Sequence, residues 1–119
     1  MKKPTASSDS FCRAGEIVVV PFPYKDVLAE KRRPALVISN RKFNKTTGLV
    51  WVAMITSAEN KAWPSDIPLP LEGSGLSALS RVRIAKVTTI DKSRIIRKIG
   101  KLDSETAMTV ANRITAILA

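Results

Sequence analysis

Histidine is absent from the 119 residues and cysteine occurs once, at position 12. Without imidazole, the chain lacks the one side chain whose ordinary pKa lies near neutrality, so acid–base chemistry would have to run on other groups. A single cysteine excludes an intrachain disulfide and a thiolate metal cluster. A zinc site would need scattered carboxylates alone, so neither a metal nor a cofactor is expected. Aromatics are scarce, at 5%, which leaves the core to Val, Ile, Leu and Ala. No apolar run nears the roughly 20 residues of a membrane span. The opening MKKPTASSDSFCR carries charge but no apolar stretch of the kind a signal peptide needs. Residues 1–13 therefore read as a flexible basic leader, residues 14–119 as a single domain, and the cytoplasm as the expected compartment. No membrane partner is expected.

Acidic residues are also few. Ten Asp and Glu face 20 Lys and Arg, a formal net charge of +10. The excess is not a tail, because residues 1–60 and 61–119 each hold ten cations and five anions. A positive field on the folded body favours polyanionic partners, nucleic acid or an acidic protein.

What is present is a series of short β-type segments. GEIVVVPFPY (15–24) is a β-branched run that Pro21 and Pro23 should stop or deflect. KDVLAEKRR (25–33) reads as a charged loop, and PALVISN (34–40) as a strand whose preceding Arg33 is held extended by Pro34. RKFNKTTG (41–48) reads as a polar turn. LVWVAMITS (49–57) is apolar until Thr56 and Ser57, which suggests a strand buried on both faces, Trp51 included. The Pro- and Gly-bearing stretch 58–76 should be loop, with a short edge strand near Ile67–Leu69. SALSRVRIAKVTTID (77–91) alternates, placing Val82, Ile84 and Ala85 inward and Arg81, Arg83 and Lys86 outward. A further strand lies in RIIRKIGKL. The last segment changes period: Asp103 or Ser104 caps a helix with Ala107, Val110, Ala111, Ile114, Ile117 and Leu118 on one stripe. The expected fold is mainly β, a small β-barrel with a C-terminal α-helix.

The ordered set GEIVVVPFPY, KRRPALVISN, VWVAMITS and SRVRIAKVTTIDKSRIIRKIGKL closely resembles the PemK/MazF-like toxins of type II toxin–antitoxin systems. Each piece alone is weak; the order and spacing are specific. The resemblance implies an SH3-like barrel, a homodimer and a metal-independent endoribonuclease that cuts single-stranded RNA. It also implies an acidic cognate antitoxin, with operator DNA bound only through the antitoxin complex. The family's arginine before proline falls on Arg33 and its I-T-S threonine on Thr56, the two catalytic candidates. Some members add an arginine and an aspartate in the strand before T-I-D, and a histidine near the first loop. The arginine falls on Arg83; Ala85 stands at the aspartate position, and no histidine exists.

Read as residues, the candidates have bland alternatives. Arg33 could be a solvated loop cation and Thr56 a cap on its own turn; Arg83 is an RNA-binding candidate or, equally, an ordinary exposed strand residue. Lys31 and Arg32 would widen a phosphate-binding field. Ser57, Ser80 and Arg81 are weaker RNA-binding candidates, with Ser57 more in a supporting role. Trp63, Phe22 and Tyr24 are the possible base-stacking rings. Asp26 and Glu30 could supply a base but read first as ordinary loop carboxylates. Ala85 and the missing histidine leave a second reading open: a non-catalytic barrel that binds nucleic acid or an acidic protein. A gyrase-poisoning toxin of the same fold finds no supporting motif.

Overall fold

A computed structural model of the chain describes residues 12–23 and 30–119. Tyr24, Asp26 and the side chain of Glu30 lie outside the described residues. The elements run β1 (Glu16–Pro23), β2 (Glu30–Val37), α1 (Arg41–Thr47), β3 (Leu49–Ser57), β4 (Asp66–Leu69), β5 (Ser80–Asp91), a 3-10 turn (Lys92–Arg94), β6 (Arg97–Lys101) and α2 (Ser104–Leu118). The six strands form one antiparallel sheet in the order β4-β5-β3-β2-β1-β6, curled into a half-barrel. Its two edges are brought together by the loop after β4. The Lys101 N–H donates to the Gly73 carbonyl at 3.1 Å. A Cβ on Gly75 would lie 2.0 Å from the Ile99 carbonyl oxygen, and one on Gly100 would lie 2.2 Å from that of Ser74. Bare backbone must meet bare backbone there, which is why glycine stands on both sides.

Burial falls on both faces of the sheet. Ile17, Leu36, Ala53, Ile55, Val82 and Val110 belong to one cluster, while Val18, Val20, Val37, Val50 and Val52 belong to another. The middle of β3 is thus buried on both sides, as its unbroken apolar run predicts. Trp51 departs from that expectation: it is 44% exposed, with Phe43 set edge-on at 5.2 Å. α2 lays Val110 into the first cluster with Ala107 and Ile114 against it, but Ile117 and Leu118 are exposed. The N-terminal part of the helix therefore packs on its own barrel and the last turn does not. Asp103 is the cap, accepting from the Thr106 N–H.

Three expected loops or breaks are regular structure. β1 runs through both prolines, since Pro21 pairs with Arg32 and Pro23 with Glu30. β6 covers β1 only from Glu16 to Val19, so beyond Val19 one side of β1 is an edge, where a missing N–H is tolerated. β2 correspondingly starts at Glu30, and Lys31, Arg32 and Arg33 are strand residues rather than loop. Residues 41–47 form a helix because Asn40 accepts from the Phe43 N–H at 2.8 Å, while Gly48 takes the left-handed conformation (φ 76°) after the last turn.

Candidate active site

β2 and β3 pair only from Ala35↔Met54 to Val37↔Val52. Continuing that register two residues past Ala35 and Met54 sets Arg33 opposite Thr56, where the strands have stopped pairing. A cavity of about 660 Å³ opens at this point, and both residues line it. That volume lies within the range of small-ligand clefts. Phe22 and Pro21 wall it from β1; Arg83, Lys86 and Asp91 come from β5; Arg94 follows in the 3-10 turn. Four cations and one carboxylate thus face the space. Among the described residues, no group of three acidic or thiol side chains converges to hold a metal ion.

Arg83 reaches the cavity through an irregularity in β5. Ala53 pairs with Val87, but the next β3 residue, Met54, pairs with Arg83. Ile84, Ala85 and Lys86 fall in the slack, which breaks the alternation expected from the sequence. Arg83 is consequently buried, at 8% exposed, and Ala85 is exposed, the reverse of both expectations. Lys86 stays exposed as expected. The buried guanidinium is engaged along its Nε–Nη2 edge: Nη2 donates to the Lys61 carbonyl at 2.6 Å and pairs with Asp66 Oδ2 at 3.2 Å. It also lies 4.1 Å over the Trp63 ring. Trp63 does not line the cavity, yet Arg83 fixes one face of the ring while the residue stays 42% exposed. Asp66 holds the same turn from below, accepting the Trp63 N–H at 2.9 Å.

Thr56 pairs with Arg81 across β5, and its hydroxyl oxygen accepts from Asn60 Nδ2 at 2.7 Å. Arg81 does not reach into the cavity; its Nη1 donates to the Asn60 carbonyl at 2.7 Å and its Nη2 to that of Ala58 at 3.1 Å. Ser57 caps the turn, its Oγ accepting the Glu59 N–H, and Ser80 Oγ donates to the Ala78 carbonyl. Lys31 and Arg32 stand exposed on the two-stranded end of β1 and β2, opposite Phe22 and Pro21, beside the cavity rather than in its wall. Asp91 Oδ1 accepts the Ser93 N–H at 2.9 Å. That bond is the main reason its carboxyl titrates below the usual range, so a fixed negative charge sits at the far end of a cationic groove.

The structure thus brings Arg33, Thr56, Arg83 and Phe22 together, and links Arg81 and Trp63 to them through the 58–66 turn. Asn60, Asp66, Lys86, Asp91 and Arg94 are additions that sequence reasoning missed. The T-I-D motif carried Asp91 in plain sight, but nothing local signals the others. The model of the PemK-like, MazF-like toxin of type II toxin–antitoxin systems matches residues 13–118. The chain belongs to this family of RNA-cleaving toxins. A probable endoribonuclease MazF of Mycolicibacterium smegmatis is 34% identical over 89 residues, spanning 70% of this chain and 75% of the relative. The endoribonuclease MazF9 of Mycobacterium tuberculosis is 30% identical over 98 residues, with 77% and 83% covered. The crystal structure of MazE–MazF from Deinococcus radiodurans superposes with a TM-score of 0.72 at 27% identity, covering 89% of this chain and 94% of that one.

Proposed function

We propose that this toxin is a metal-independent, sequence-selective endoribonuclease that cuts single-stranded mRNA, with Arg33 and Thr56 as catalytic residues. The observation that carries this reading is their convergence at the open end of the β2–β3 ladder, in a cavity whose lining also includes Arg83, Lys86 and Arg94. RNA holds its own nucleophile. The 2′-oxygen attacks the adjacent phosphorus, the P–O5′ bond breaks, and the products are a 2′,3′-cyclic phosphate and a 5′-OH. The 2′-OH proton leaves and the departing 5′-oxygen gains one, so protons balance. The guanidinium fork of Arg33 matches two phosphate oxygens and stabilises the charge that gathers on them. The Thr56 hydroxyl donates to a phosphate oxygen beside it. With no imidazole in the chain, positioning and charge stabilisation supply most of the acceleration, and turnover is slow.

The remaining candidates fit around that centre. Lys31 and Arg32 widen the phosphate field, and Ser57 supports the Thr56 strand end. Arg83 holds the 58–66 turn at the cavity wall, and the outer face of Trp63 offers a platform for an unpaired base. An acidic antitoxin is the natural occupant of such a groove; the D. radiodurans neighbour is a structure of MazE with MazF, which supports an antitoxin partner. The toxin acts as a homodimer in the cytoplasm, where its mRNA is, and meets operator DNA only through the antitoxin complex.

Cleavage of a long unstructured RNA in EDTA, with end-group analysis, tests this. Wild type should leave cyclic-phosphate and 5′-OH ends at a recurring sequence. Arg33→Ala should slow cleavage by on the order of 10²–10³-fold, the loss typical of one transition-state donor, and Arg33→Lys by less. Salt-sensitive binding without cleavage by a well-folded protein would instead favour the non-catalytic barrel.

A further inference from the structure

Whether a threonine hydroxyl gives or takes a hydrogen bond is set by its neighbour. In this toxin the neighbour is Asn60, whose amide nitrogen approaches Thr56 Oγ1 at 2.7 Å. An amide N–H has nothing to accept with, so it occupies a lone pair of the hydroxyl oxygen and turns the hydroxyl hydrogen away from itself. No other hydrogen bond to the Thr56 hydroxyl exists among the described residues. The hydrogen is therefore available on the cavity side. Asn60 is in turn fixed from behind. Its backbone N–H donates to the Ser57 carbonyl at 3.0 Å and its carbonyl accepts from Arg81 at 2.7 Å. A second donor of Arg81, on the Ala58 carbonyl at 3.1 Å, holds the same turn.

We infer that Asn60 is a positioning residue that locks the Thr56 hydroxyl as a hydrogen-bond donor toward the substrate phosphate, with Arg81 anchoring Asn60 from the other side. The inference rests on the proposed nuclease role of Thr56. It assigns Arg81 to the scaffold of the site rather than to contact with RNA. It also explains why a tight turn follows the strand-end threonine: the turn returns an amide to the hydroxyl four residues earlier.

The test is a double-mutant cycle on single-turnover RNA cleavage in EDTA, with Asn60→Ala and Asn60→Asp made in wild-type and Thr56→Val backgrounds. Asn60→Ala frees the hydroxyl to rotate and should slow cleavage about threefold. Asn60→Asp is near-isosteric but replaces the donor with an acceptor that captures the hydroxyl hydrogen, and should slow it on the order of tenfold or more. Both losses should fall on the saturating single-turnover rate rather than on the enzyme concentration that half-saturates it, and both should vanish in the Thr56→Val background, where no hydroxyl remains to orient. The Arg81 bond is to the Asn60 backbone, so neither side-chain change removes the turn's anchor. Equal losses in both backgrounds, or Asn60→Ala slower than Asn60→Asp, would overturn the inference while leaving the nuclease intact. If wild type cleaves and Thr56→Val does not slow it, the role of Thr56 falls and this one with it. A wild-type protein that cleaves no RNA would sink both readings.

Discussion

Cys12 is 2% exposed, and its thiol is pushed up from 9.0 to about 11, chiefly by desolvation and next by the charge of Glu16, with Lys92 pulling the other way. It is held in place by a buried polar clamp. Asn44 Nδ2 donates to the Cys12 carbonyl at 2.7 Å and to that of Ser39 at 3.1 Å. Ser39 Oγ donates to Asn44 Oδ1 and accepts the Trp51 N–H. The raised value fixes the sign of the linkage. The folded state keeps its proton where the unfolded thiol loses it, so this contribution to stability is fully present below about pH 9. It is lost as pH rises towards 11. A thiol reagent at pH 8 should therefore label the native protein slowly and the urea-unfolded protein at once, because the thiolate is the nucleophile. Cys12→Ala should flatten the fall in stability between pH 9 and 11. Rapid labelling of native protein would show that Cys12 is not packed on the barrel.

At the scale of elements, the β4–β5 pair shows how a strand irregularity makes a wall. Asp66 and Arg83 are directly paired across the two strands, and their side chains are 5% and 10% exposed. Removing one member of a buried pair strands the other, at a cost of about 3 kcal/mol. Asp66→Ala should lower the urea midpoint accordingly with an unchanged m-value, and should also release the Trp63 turn. An unchanged midpoint would mean that Arg83 finds a substitute partner. The same pair marks the limit of what the sequence disclosed. Strand identities, the apolar run of β3 and the C-terminal helix were legible because each follows a local period. The α1 helix was missed: Asn40 and Gly48 are its two caps, but a basic and polar sequence with no apolar stripe reads as a turn. The inward turn of Arg83 was not legible, since it depends on a register step between Ala53 and Met54 that no period in β5 encodes. Arg33 and Thr56 were singled out by motif order, and the fold brings both to one cavity. Asn60, Asp66 and Arg94 become neighbours of the site only once loops fold back, so their types carry no advance signal.

For the whole molecule the question is whether RNA meets a diffuse positive surface or a local groove. The formal charge is +10 and is evenly divided along the chain, which by itself would suit either. The cavity narrows the choice. In the proposed site three lining cations, Arg33, Lys86 and Arg94, meet the phosphates, while Arg83 is ion-paired with Asp66. Three such contacts give a slope of about −2 for log affinity against log salt with single-stranded RNA, or roughly a 20-fold loss between 50 and 200 mM. Engagement of ten charges would give a slope near −7 and a loss on the order of 10⁴-fold over the same range. Binding of a non-cleavable single-stranded oligonucleotide, its 2′-OH blocked, should follow the shallower line. Arg33→Ala should then reduce the slope by about 0.7, whereas Lys101→Ala, on the β6 edge and outside the cavity lining, should leave it unchanged. A steep slope that both variants reduce equally would make the barrel surface as a whole the binding site, and the cavity only the place where the cut is made.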